Sequence, residues 1–142
     1  MISSNQNNAI ESPESDYLYK ATSQLPNSGN GLFTAINIYK DETISIFKGE
    51  ILSDSQAKLR VLNGRDQYFI NMLDGTIMDS IDTTCFAKYA NDVNGSFESA
   101  FKNNAKIGLD EENNICVIAI RKIKSGEEIF CSYGKRYWEK HG

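Results

Sequence analysis

IRKIKSGEEIFCSYGKRYW, residues 120–138, reads as the end of one strand, a Ser125-Gly126 turn, a further strand, and a closing run that mixes aromatic with charged residues. Upstream of it, NAKIGLD and ICVIAIRKI flank an Asn113-Asn114 turn and read as a strand pair. LFTAINI at 32–38 places Leu32, Thr34, Ile36 and Ile38 on one face at period two, and TISIFKGEIL at 43–52 reads as a second strand of the same kind. QYFINML and TIMDS around an Asp74-Gly75 turn predict a hairpin. A short helix is predicted over residues 54–62, capped by Asp54 and stopped by Asn63-Gly64. A brief helical turn is expected near 84–89, and an irregular loop from 90 to 104. Many short strands, few helices and no repeated unit predict a mostly β single domain.

The chain has 142 residues, seven Phe, seven Tyr and one Trp, enough for one modest core. Its formal net charge of -4 argues against broad binding to phosphate backbones, so weak or no direct nucleic-acid binding is expected. The same charge suits a Lys/Arg-rich partner. No apolar run reaches the length of a membrane span, and the start, MISSNQNNAIESPESD, lacks the basic-then-apolar pattern of a secretory signal. Residues 1–16 read as a flexible leader and 17–142 as the domain. Cys85, Cys116 and Cys131 form no CxxC and suggest free thiols in a reducing, intracellular compartment. With His141 as the sole histidine, no metal site is expected.

GNGLFTA at 29–35, YAND at 89–92 with NNA at 103–105, and GEEIFCSYG at 126–134 together resemble the blocks of SET-domain protein-lysine methyltransferases. The resemblance covers 17 to 138. In size and ending it is nearest to small stand-alone virus-encoded or microbial members. It implies a β-clip-like SET fold: several small twisted sheets around a knot-like C-terminal segment that threads beside an earlier loop. Positions near 91, 104 and 133 would then meet. It also implies S-adenosylmethionine on one face and a lysine channel opening from the other.

Carried over residue by residue, Gly29, Asn30, Gly31 and Leu32 form the cofactor-contacting loop and strand start, where missing Cβ atoms allow close backbone approach. Tyr89 and Asn91 match the central motif. Asp92 stands where the family usually has histidine, and a carboxylate only accepts hydrogen bonds where an imidazole can donate. Asn104, with Asn103 as its neighbour and competitor, matches the motif's later asparagine on the substrate side. Surface loop formation is the other reading of these asparagines. Tyr137 and Trp138 resemble an aromatic cover near the cofactor, or else a peg anchoring the C-terminus.

Tyr133 is the leading catalytic candidate. An ammonium has no lone pair, so transfer needs a neutral lysine amine aligned with the donated methyl group. A phenol near pKa 10 is a poor base at neutral pH, so the Tyr133 hydroxyl is assigned to orient the amine electrostatically. Tyr68 either lines the lysine channel, as catalytic and substrate-binding residue, or packs the core. Glu127 and Glu128 point to opposite sides of a strand and make no acid/base pair; Glu128 is read as a pin for the turn or a neighbouring strand.

The resemblance implies methyl transfer from S-adenosylmethionine to a lysine of a basic protein, with a histone tail as substrate, in the nucleus or on chromatin where the host is eukaryotic. Small members can pair, so a homodimer is among the expected states. The rival reading is a SET-like peptide-binding module without turnover, motivated by Asp92 and the altered loop after it.

Overall fold

The computed structural model describes residues 10–25, 29–66, 68–72, 75–93 and 101–132. In chain order its elements are α1 (Glu14–Tyr17), β1 (Leu18–Thr22), β2 (Asn30–Thr34), β3 (Thr43–Ile46), β4 (Glu50–Leu52), α2 (Asp54–Leu62), β5 (Phe69–Asn71), β6 (Ile77–Asp79), a 3-10 turn (Ala87–Tyr89), β7 (Ala105–Leu109), β8 (Ile115–Ala119), β9 (Glu128–Ile129) and β10 (Cys131–Ser132). The strands make three small sheets, ordered β1-β2-β9, β10-β7-β8-β3 and β4-β6-β5. This is the mostly β architecture of several small sheets that the sequence predicts.

One core joins the first two sheets. Leu18, Leu32 and Ile129 meet Ile44, Val117, Ala119 and Cys131 there, all buried. Removing each large aliphatic side chain from water contributes roughly 1.5–3 kcal/mol. The third sheet carries α2, with Leu52, Ala57 and Phe69 packed together and Ile77 against them. Arg60 on α2 reaches Glu50 at 2.8 Å and Asp79 at 2.7 Å, fastening the helix across β4 and β6.

Three local expectations need correcting. TISIFKGEIL is two strands in different sheets, β3 beside β8 and β4 beside β6, and Gly49 between them lies so close to the Asp79 backbone that a Cβ has no room. The cap of α2 is Ser53, whose hydroxyl accepts the Gln56 N–H while the Gln56 side chain accepts the Ser53 N–H; Asp54 is the first helical residue instead. The residues just ahead of Tyr17 are also packed: Ile10 touches the core, and the Glu14 carboxylate accepts from the Ser45 hydroxyl and the Ile46 N–H. The hairpin is present as β5 against β6, with Leu73 and Asp74 of its turn outside the described residues.

The segment from Glu128 to Ser132 positions the site. β9 pairs antiparallel with β2, Phe130 bridges in parallel to Asn91, and β10 pairs in parallel with β7. Within five residues the chain is therefore bonded to the glycine block, the YAND loop and the strand that follows Asn104. A strand alternates its backbone groups between two sides, so one extended segment can lace three elements at once.

Candidate active site

Asn30 and Asn91 meet. The Asn91 side-chain amide donates to the Asn30 carbonyl at 3.1 Å, and the Asn91 carbonyl accepts the Cys131 N–H at 2.8 Å. Asn91 thus holds the Gly-Asn-Gly loop with its side chain and the C-terminal segment with its backbone.

The two glycines of the loop do different things. Gly29 is exposed at φ +62°, with open space where a Cβ would stand, so an incoming group can approach its backbone. Gly31 is closed off: a Cβ there would run into the carboxylate of Glu128. That carboxylate is 2% exposed and accepts from the Ser23 hydroxyl at 2.7 Å and the Gln24 N–H at 2.8 Å. Glu128 pins Ser23 and Gln24, which precede the loop, while Glu127 turns away to accept the Lys124 N–H. Leu32 is fully buried in the core, so its side chain offers nothing to a cofactor, and the assignment of Leu32 to that site narrows to its backbone.

Asn104 serves as a clamp. Its side chain donates to the Glu128 carbonyl at 3.0 Å and accepts the Phe130 N–H at 2.8 Å, and it is only 5% exposed. With both side-chain heteroatoms engaged by this backbone, its assignment as a substrate-binding residue shifts to that of a residue positioning the segment. Asn103 contributes separately, donating to the Asp92 carboxylate at 2.9 Å and accepting the Val93 N–H at 2.9 Å. Asp92 is buried, and its charge adds to the burial that pushes the Cys131 thiol far up. A thiol held in that form is no nucleophile.

Tyr68 and Phe69 divide between two faces. Phe69 enters the core under α2, while the Tyr68 ring lies 5.3 Å from the Lys88 ammonium. Tyr89 has Lys20 at 5.1 Å and Lys88 at 5.4 Å from its ring centre. A cavity of about 400 Å³ opens beside Tyr89, lined also by Lys20, Lys88 and residues 81–86. Tyr133, Tyr137 and Trp138 lie outside the described residues.

Two contributors escaped the sequence reading. Lys88 carried a signal in its place on the short helical turn, three residues before Asn91. Asn103 was in view only as a competitor of Asn104, and each asparagine proves to have its own partner. Among the described residues no group of three or more His, Cys, Asp or Glu side chains is arranged to hold a metal ion.

The exposed Gly29-Asn30 backbone and the Asn91 amide that bonds it form a polar edge, with the Asp92 carboxylate buried behind it against Asn103. A family model described as SET domain matches residues 29–134, which include every described residue of this edge. The chain belongs to the SET-domain family. The family's general activity is methyl transfer from S-adenosylmethionine, and SET domains generally act on lysine-containing proteins.

Proposed function

We propose that this protein is an S-adenosylmethionine-dependent protein-lysine N-methyltransferase of the small stand-alone type, acting on a Lys/Arg-rich protein such as a histone tail. The observation that carries the reading is the Asn91–Asn30 hydrogen bond, which joins the central motif to the glycine loop, with Phe130, three residues before Tyr133 in the chain, bridged to the same Asn91. The net charge of -4 favours encounter with a basic tail. Bound S-adenosylmethionine supplies an electrophilic methyl group on a sulfonium. Gly29, Asn30 and Asn91 would hold the cofactor, Tyr68 would line the lysine channel, and the Tyr133 hydroxyl would orient the neutral amine. By the family resemblance, Tyr89, Tyr137 and Trp138 would enclose the cofactor side. Action on chromatin in a eukaryotic nucleus follows from that substrate, and a homodimer is part of the same proposal.

The test incubates the protein with labelled S-adenosylmethionine and a panel of basic proteins and locates the product by mass spectrometry. Tyr133→Phe is expected to lower turnover on the order of 100-fold with cofactor affinity unchanged. Unaltered turnover removes Tyr133 from the chemistry. A second reading, a peptide-binding module without turnover, draws on Asp92 and its bond to Asn103 in place of the family's histidine. Binding of cofactor and peptide with no methylated product would select it.

A further inference from the structure

Lys88 gathers five partners from three parts of the chain. Its ammonium donates to the carbonyls of Ser80 at 3.0 Å, Ile81 at 3.4 Å and Thr83 at 3.0 Å. Those acceptors match the three N–H donors of a lysine. The same nitrogen stands 5.3 Å from the Tyr68 ring centre and 5.4 Å from that of Tyr89, within reach of cation–π attraction. The carbonyl nest is itself tied down: the Ser80 N–H donates to the Tyr68 carbonyl at 3.3 Å, and the Ser80 hydroxyl donates to the Lys48 carbonyl at 2.6 Å. A long, flexible side chain loses considerable rotamer freedom when it is held at so many points, so this arrangement is a built joint and not a solvated charge resting near a ring.

The joint also occupies a particular place. Three residues on, Asn91 bonds the glycine loop. The short segment from Lys88 to Asn91 therefore connects the cofactor-side edge at one end and Tyr68 at the other.

We propose that Lys88 is a positioning residue for the peptide substrate, fixing the Tyr68 ring against the 80–83 loop and Tyr89 so that the wall of the lysine channel has one shape. This inference rests on the reading of Tyr68 as a channel residue. Lys88 itself touches neither the amine nor the methyl donor in this scheme.

The experiment compares wild type, Lys88→Met, Lys88→Arg, Tyr68→Leu and the Lys88→Met/Tyr68→Leu double variant. Three quantities are read: S-adenosylmethionine Kd by calorimetry, the Kd of a fluorescent Lys/Arg-rich histone-tail peptide by anisotropy, and kcat and KM for that peptide. Lys88→Met is expected to raise peptide Kd and KM at least fivefold with cofactor Kd within twofold of wild type. Because Lys88 acts through Tyr68, the double variant should bind peptide no worse than Tyr68→Leu alone. Lys88→Arg should fold with a raised peptide KM, since a planar guanidinium does not fit three carbonyls converging on one nitrogen, and it settles the matter where Lys88→Met is unfolded. Wild-type peptide affinity in Lys88→Met, or in Lys88→Arg where Lys88→Met does not fold, overturns the proposal, as do losses that multiply in the double variant. If Tyr68→Leu is impaired and the Lys88 variants are not, the positioning role alone fails. A Tyr68→Leu protein that behaves as wild type removes the channel reading and this inference with it.

Discussion

Asn104 and Phe130 exchange two hydrogen bonds: the Asn104 N–H donates to the Phe130 carbonyl at 2.9 Å, and the Phe130 N–H donates to the Asn104 side-chain oxygen at 2.8 Å. The amide of the same side chain reaches the Glu128 carbonyl at 3.0 Å. One asparagine thus replaces the ladder partner that an extended segment lacks where it leaves one sheet for another. Asn104→Ala leaves a buried N–H and a buried carbonyl short of a partner, at a cost of about 2–4 kcal/mol. Urea denaturation should show a lower midpoint; an unchanged midpoint removes the clamp from the stability argument.

Gly31→Ala and Gly29→Ala should differ. At Gly31 the new methyl group displaces the Glu128 carboxylate from Ser23 and Gln24, an overpacking cost of about 1–3 kcal/mol that also loosens the loop. At Gly29 there is room, and the cost is the left-handed backbone alone, about 1 kcal/mol. S-adenosylmethionine affinity should fall in both variants, with the larger loss of melting temperature in Gly31→Ala. Equal melting temperatures would contradict the pinning role of Glu128.

Asp92→Asn preserves an acceptor for Asn103 and deletes the charge. If that charge favours the sulfonium and amine of the cofactor, S-adenosylmethionine affinity drops roughly tenfold, about 1.4 kcal/mol. The demethylated product, whose sulfur is neutral, should lose less. Calorimetry with both ligands reads the difference, and a parallel loss for the two refutes the electrostatic role.

The fold should weaken in alkali. Burial, with the nearby Asp110 charge, pushes the Cys116 thiol from its ordinary value near 9 up to about 11. The unfolded chain then releases the proton first, so stability is full below pH 9 and is lost as pH rises from 9 to 11. Tyr17 and Cys131, raised by burial, act in the same direction. Thermal melts across pH 8–11 should slope less steeply in Cys116→Ala than in wild type; parallel curves would exclude Cys116 as a contributor.

Local chemistry made part of this molecule legible in its residues. Alternation separated Tyr68 from Phe69 and Glu127 from Glu128, and the structure keeps each pair apart although Tyr68 and Glu127 stand one residue ahead of β5 and β9. Asn63-Gly64 ended α2 where expected, and the cap missed by one residue because Ser53 with Gln56 forms a reciprocal pair that Asp54 does not. The blocks at 29–35, 89–92 and 126–134 carried the family, which the match over 29–134 bears out.

What each polar residue of these blocks does was settled by contacts between segments far apart in the chain. Gly31 meets Glu128 and Asn91 meets Asn30 where the segment from Glu128 to Ser132 lies beside β2 and Asn91, and Lys88 meets Tyr68 across the 80–83 loop. Periodicity and turn chemistry are properties of a few neighbouring residues, so the chain alone determined most turns and the class of fold, but not where each strand ends or which sheet it joins: β2 stops at Thr34 and 43–52 divides between two sheets. Long-range pairing also consumes donors, acceptors and space that a sequence displays as available. That is why Leu32 proved to be core, Asn104 a clamp and Lys88 a joint only once the sheets had closed on one another.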